Sequence, residues 1–279
     1  MRWSRSSVSR ADGVATLIGH INTSYYEMGA LAIYLRQVGA AIRVSFADRA
    51  NFWLQLGGMT VNNGFILLLW FMFFAGFHSL GGWRLADVAL MIGILALSVG
   101  VAGVFAGGYR DMAAVILRDE VDTLLTQPRA VLPRLLARES IASAWGDVIV
   151  GAILLASFAA LRWSDLPVLL FVLCGSLTVF LATGVLFASL AFWVRGARSF
   201  ARDVVDFVIL LSSYPGSIYS GAMKVVVYTF VPAGFVVLVP VAVLREHSLA
   251  GLMTMAGAAV GYAGLAIAVF LAGLRRYRA

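Results

Sequence analysis

Few side chains in this sequence are arranged for chemistry. The three histidines, His20, His78 and His247, lie far apart and lack the close spacing that turns two imidazoles toward one metal ion. They read as solvated or interfacial groups. The sole lysine, Lys224, sits in Ser220-Gly221-Ala222-Met223-Lys224-Val225, without the glycine spacing and following hydroxyl of a phosphate-cradling loop. No nucleotide site is encoded. Asp119, Glu120 and Asp122 form an acidic group, but Arg118 and Arg129 flank it and no glycine turns the chain as a calcium loop requires. The single cysteine, Cys174, excludes a disulfide framework within one chain. With no paired carboxylates or histidine cluster near one interface, a lipid-modifying enzyme is unsupported, and no metal or cofactor is expected in this chain.

The remaining candidates are polar groups inside apolar blocks, where they are costly and therefore point to function. Asn62 and Asn63 lie about ten residues into the first block, roughly 15 Å deep at 1.5 Å per residue. They either line a translocation path or hydrogen-bond another helix. Asp147 sits roughly two turns into the third block, where pairing with Arg138 or Arg202 is expected to offset its desolvation. Asp87, Asp203 and Asp206 fall near block ends and read as interfacial.

The elements that position these groups follow from composition. Hydrophobic residues make up 61% of the 279 residues and charged ones 13%, with a mean hydropathy of +0.92. Soluble domains carry about 25% charged residues, so a water-facing surface cannot be built here. Spans need roughly 20 apolar residues each, and the blocks predict six, at about 52–77, 86–107, 141–161, 167–194, 200–214 and 249–272. The expected fold is an all-α membrane protein: a tail over 1–24, an interfacial helix within 25–50 and a transmembrane domain over 51–279. The net charge of +7 is scattered between apolar blocks rather than gathered on one basic face, which excludes a nucleic-acid footprint.

From Leu31 to Phe46, Leu31, Tyr34, Leu35, Val38, Ile42 and Phe46 recur at three- and four-residue spacings, with Arg36 and Arg43 opposite. This predicts an amphipathic helix along the membrane surface, with Arg36, Arg43 and Arg49 near lipid headgroups or a partner. Between residues 215 and 246 the chain stays apolar but Pro215, Gly216, Pro232, Gly234 and Pro240 interrupt it. Two short broken helices in a re-entrant element are expected there, because irregular backbone at membrane depth must be covered. An amino terminus inside leaves only Arg84, Arg162, Lys224 and Arg245 outside among all the Lys and Arg residues. The positive-inside rule then puts both termini in the cytoplasm.

The segment Arg118-Asp119-Glu120-Val121-Asp122-Thr123-Leu124-Leu125-Thr126-Gln127-Pro128 between spans two and three alternates acids with paired leucines, and reads as a solvated helix that docks a partner. Val121 to Pro128 resembles the cytoplasmic segment of ABC-2 type transporter permeases, especially their six-span bacterial branch. Tyr214-Pro215, Ile218-Tyr219, Val231-Pro232-Ala233-Gly234-Phe235 and Pro240 are similar to that branch's broken segment before the last span, and Gly273-Leu274-Arg275-Arg276-Tyr277 to its ending. The likeness runs from about Tyr25 onward. Val121 stands where leucine is common, and Asp119-Glu120 where glycine and glutamate are frequent.

The resemblance implies a permease subunit in a bacterial inner membrane, not an enzyme. It pairs with a second permease copy or paralogue and with two ATP-binding subunits that carry ATP and Mg. It implies that Arg118, Asp119, Glu120, Asp122, Leu124, Leu125 and Pro128 couple to the ATPase through a short helix at Met112 to Leu125. It also implies that Tyr214, Pro215, Pro232 and Pro240 belong to an outer gate, and that the cargo is an exported lipid, glycoconjugate, drug or peptide. The competing reading is a stand-alone secondary transporter or channel, which needs buried ionisable residues or inverted repeats.

Overall fold

The computed structural model describes residues 29–278 apart from His78, Leu80, Pro128, Ala159 and Ala160. The expected tail over 1–24, the first residues of the 25–50 segment, and the coupling candidate Pro128 lie outside the described residues. Every element among the described residues is helical. Among the described residues, four helices are long and apolar enough to cross a membrane, by length and composition: Arg49–Gly76, Leu85–Leu117, Trp163–Phe192 and Leu249–Arg278. Six were expected. The third block yields only the 14-residue Ala144–Ser157, because Ile141 to Ser143 form tight turns and the Ile141 N–H bonds Gly103 O at 3.0 Å. The fifth yields the 16-residue Ala197–Ser212, which buries one face and exposes Arg202, Asp203 and Asp206.

The chain begins with α1 (Ala30–Ser45), which buries Ile33 and Val38 and exposes Leu31, Leu35 and Val44. Next comes α2 (Arg49–Gly76), capped by Asp48, whose carboxylate accepts the Asn51 N–H at 3.1 Å. α3 (Leu85–Ala106) is buried along nearly its whole length. It is hydrophobic all round, as a central helix must be. Three short helices follow: α4 (Met112–Leu117), α5 (Asp122–Leu125) and α6 (Val131–Leu136). The bundle is completed by α7 (Ala144–Ser157), α8 (Leu166–Ser189), α9 (Ala197–Ser212), α10 (Gly221–Tyr228), α11 (Val239–Glu246) and α12 (Leu249–Arg278).

α3 and α7 form an antiparallel pair held by close backbone approach. A Cβ on Gly100 would stand 2.7 Å from Val148 N, and one on Gly151 2.7 Å from Leu97 N. Small residues at such crossings let van der Waals packing replace the hydrophobic drive that lipid cannot supply. α8 lies beside α12, with Gly175 under Met255 and Gly273 under Phe192. α2 lies at the rim and buries only Phe52, Asn63 and Trp70.

The interrupted stretch after α9 forms α10, a π turn over Gly234–Leu238, and α11. Its two ends return to one place. Ser217 packs against Gly81, while Arg245 stacks 4.4 Å over the Trp83 ring in the same α2–α3 turn. The π turn leaves carbonyls without helical partners, and serines from neighbouring helices supply them. Ser176 Oγ donates to Val236 O at 2.5 Å and in turn accepts from Ser98 Oγ at 2.9 Å. Ser212 Oγ donates to Ala233 O at 3.5 Å.

Candidate functional site

The linker between α3 and α7 departs from the single solvated helix the sequence suggested. α4 buries Met112, Ala113, Ala114, Val115 and Ile116, and Val121 is fully enclosed. Met112, Ala113, Val115, Ile116 and Val121 join a cluster with Ala182 and Val185 of α8, Ala197 and Ala201 of α9, and Phe270 and Leu274 of α12. The linker is therefore wedged against three helices. The helix breaks at Asp119, whose φ is 57°. The Asp119 N–H bonds Ile116 O at 3.2 Å and the Glu120 N–H bonds Val115 O at 3.1 Å, the pattern of a glycine-type helix stop. Aspartate tolerates this left-handed conformation better than most residues. The ABC-2 likeness has glycine frequent here, and the geometry gives the reason.

A charged network spreads over this wedge. Asp111 accepts from Arg202 at 2.8 Å and Arg118 at 3.1 Å, with Arg198 3.8 Å away. Arg118 also holds Glu120 at 2.8 Å, and Arg138 bonds the other oxygen of that carboxylate. Arg110 meets Asp206 at 3.4 Å. The Tyr277 hydroxyl donates to Asp119 at 3.3 Å. Arg138 and Arg118 hold the Glu120 carboxyl below its ordinary value, the hydrogen bond from Arg138 being the largest cause. Of the sequence candidates, Arg118, Asp119 and Asp122 are exposed, while Glu120, Leu124 and Leu125 are half-buried. Arg36, Arg43 and Arg49 are exposed along α1 and the start of α2.

The other candidates separate. Asn63 is buried and its side-chain amide donates to Asp147 Oδ1 at 2.7 Å, whereas Asn62 is exposed. Asp147 thus pairs with neither Arg138, which holds Glu120, nor Arg202, which holds Asp111. Those arginines are engaged within the linker network, and an amide on α2 reaches the carboxylate instead. At the opposite end, Tyr214 is exposed and meets Trp70 edge-on at 6.5 Å, while Pro215, Pro232 and Pro240 are buried. Arg245 binds Asp87 through two nitrogens, at 2.8 Å and 2.5 Å. His247 lies 3.1 Å from Asp165. Residue types alone did not single out Asp111, Ser98 or Ser176. The only signal for the serines was a hydroxyl inside an apolar block, a weaker one than an amide.

Residues 60–279 match the family described as ABC-2 family transporter protein. The chain belongs to that family. It is a multi-pass membrane protein and a permease of an ABC transporter, and the family associates with ABC ATP-binding subunits. The ABC-2 family supplies a membrane component of transport, consistent with the poverty of catalytic groups in the sequence. No curated protein and no solved structure matches the chain.

Proposed function

We propose that this ABC-2 permease forms one half of an exporter's membrane pathway, driven by two ATP-binding subunits that dock on the linker end and carry the ATP and Mg. The second half is another copy or a paralogue. The observation that carries this reading is the wedge of α4 and Val121 among α8, α9 and α12, tied by Asp111 and Glu120 to arginines on both sides. Force on exposed Arg118, Asp122 and the half-buried Leu124 and Leu125 reaches three long or amphipathic helices directly. Arg36, Arg43 and Arg49 extend the same surface along α1.

In this reading α7 and α9 complete six crossings as short helices, and residues 215–246 form a re-entrant outer gate around Tyr214, Pro215, Pro232 and Pro240. Both termini then face the cytoplasm of a bacterial inner membrane, as the arginine distribution supports. Of the two asparagines, Asn62 is the one left to line a pathway, since Asn63 is committed to Asp147. Apolar or amphiphilic cargo, such as a lipid or drug, suits walls with so few charges. The test is reconstitution with the cognate ATPase in vesicles. ATP-dependent movement of cargo that stops on deletion of Arg118 to Gln127 supports the reading. Transport by the chain alone under an ion gradient would establish the secondary-transporter alternative.

A further inference from the structure

Between α1, the start of α2, α5, α6 and the segment leading from α6 into α7 lies a crevice of about 840 Å³, within the roughly 300–1,000 Å³ typical of small-molecule sites. Its wall contains polar atoms that the protein leaves unmatched. Ser140 is 6% exposed, and its Oγ has no hydrogen-bond partner among the described residues. Arg134 spends one nitrogen on Leu124 O at 2.9 Å, but its buried Nε–H has none, nor has Gln37 Oε1 across the crevice on α1. Leaving buried polar atoms unpaired destabilises a fold, so a wall carrying three of them is suited to a ligand that pairs them.

The charges define that ligand. Glu120 is neutralised by Arg118 and Arg138. What remains on the wall is one cation, Arg134, with no carboxylate partner among the described residues, and two anions, Glu139 and the rim residue Asp48. A polyanion such as a nucleotide meets repulsion from both carboxylates. A zwitterion finds both signs. Burial and the nearby Asp111 hold the Glu139 carboxyl above its ordinary value, the state an ammonium neighbour would reverse. The crevice also opens beside α1, whose exposed Val44 lines it and whose exposed Leu31 and Leu35 give the helix an apolar stripe that suits a lipid surface.

We propose that this crevice binds the headgroup of a zwitterionic aminophospholipid, its phosphate on the Arg134 and Ser140 donors and its ammonium against Glu139, Asp48 and Gln37. The site joins the interfacial helix to the linker, so its occupant sets the angle between the two elements assigned above to ATPase coupling. The binding itself does not depend on that assignment.

The experiment uses the delipidated full chain in detergent, with short-chain phosphatidylethanolamine, phosphatidylglycerol and phosphatidylcholine and free phosphoethanolamine as probes, read by native mass spectrometry and calorimetry. Phosphatidylethanolamine is expected to bind best. Ser140→Ala and Arg134→Gln should each weaken it by about tenfold, the loss of a strong hydrogen bond. Arg134→Lys, which keeps the charge but lacks Nε–H, should recover only part, and a melting curve for each variant confirms that it is folded. Glu139→Gln should erase the preference for phosphatidylethanolamine over phosphatidylglycerol. Equal binding of phosphatidylglycerol to the unmodified chain overturns the zwitterion assignment, and equal binding of free phosphoethanolamine overturns the lipid one. If Arg134→Gln and Ser140→Ala release the ATP-binding subunit yet leave lipid binding intact, the crevice belongs to that partner and the proposal falls.

Discussion

Asn63 on α2 donates its amide to Asp147 Oδ1 on α7 across 2.7 Å, both side chains being buried. This contact ties the rim helix to the central α3–α7 pair at a depth where water is scarce. Replacing Asn63 by Leu leaves a buried carboxylate without its partner, so a loss of about 1–3 kcal/mol in detergent unfolding is expected. Asn63→Leu combined with Asp147→Leu should recover much of that loss. Additive losses in this double-mutant cycle would show that the two groups act independently. Asn62→Leu, on the exposed face, should leave unfolding unchanged and report only on transport.

Ser176 serves two partners, and its removal should be felt first in the broken segment. Ser176→Ala leaves Val236 O without a donor, with an expected cost of about 1–3 kcal/mol. Ser98→Ala removes only a donor to another hydroxyl and should cost less. Hydrogen exchange at Gly234 to Leu238 reads the difference: faster exchange in Ser98→Ala than in Ser176→Ala would contradict the geometry.

Asp111 gathers three arginines, all partly exposed. Exposed ion pairs contribute up to about 1 kcal/mol each, so Asp111→Asn should shift unfolding only slightly. Its expected effect is on coupling: ATP hydrolysis continues in the reconstituted complex while cargo movement drops several-fold. Unchanged transport would detach this network from force transmission.

Acid should loosen the linker. The Glu120 carboxyl is held below its ordinary value of 4.5 by Arg138 and Arg118, so its contribution is complete above that value and is lost as the pH falls through the lower folded one. Proteolysis of the linker should therefore accelerate only below about pH 4.5. In Glu120→Gln the linker should be cut at the faster rate already at neutral pH, with the acid step gone.

Close packing of α3 on α7 predicts a sharp contrast between glycines. Gly151→Val drives a side chain into the Leu97 backbone and should cost about 1–3 kcal/mol by overpacking. Gly257→Ala on α12, with open space around it, should be nearly neutral in the same melting assay.

The long helices were legible because an apolar block of roughly 20 residues has few alternatives in lipid: α2, α3 and α12 begin within a few residues of the hydropathy edges at 52, 86 and 249. The partners were not. Asn63 with Asp147, Ser98 with Ser176 and Asp87 with Arg245 are far apart in sequence, and only the rotation and depth of each helix brings them together. A one-dimensional pattern carries no such register. Asp147 was assigned to arginines on charge alone, and three-dimensional packing gave it an amide. The linker misled differently, because its charges line one side while Met112 to Ile116 and Val121 sink into the bundle.

Arg245 and His247, two residues apart, grip Asp87 and Asp165, which begin the two long helices α3 and α8. The end of one short helix, α11, is thus held to the starts of both α3 and α8. Displacing α11 disturbs its contacts to α3 and α8 together. If this end is the outer gate proposed above, its opening requires both contacts to break in one step, so that a small displacement of α11 leaves it shut.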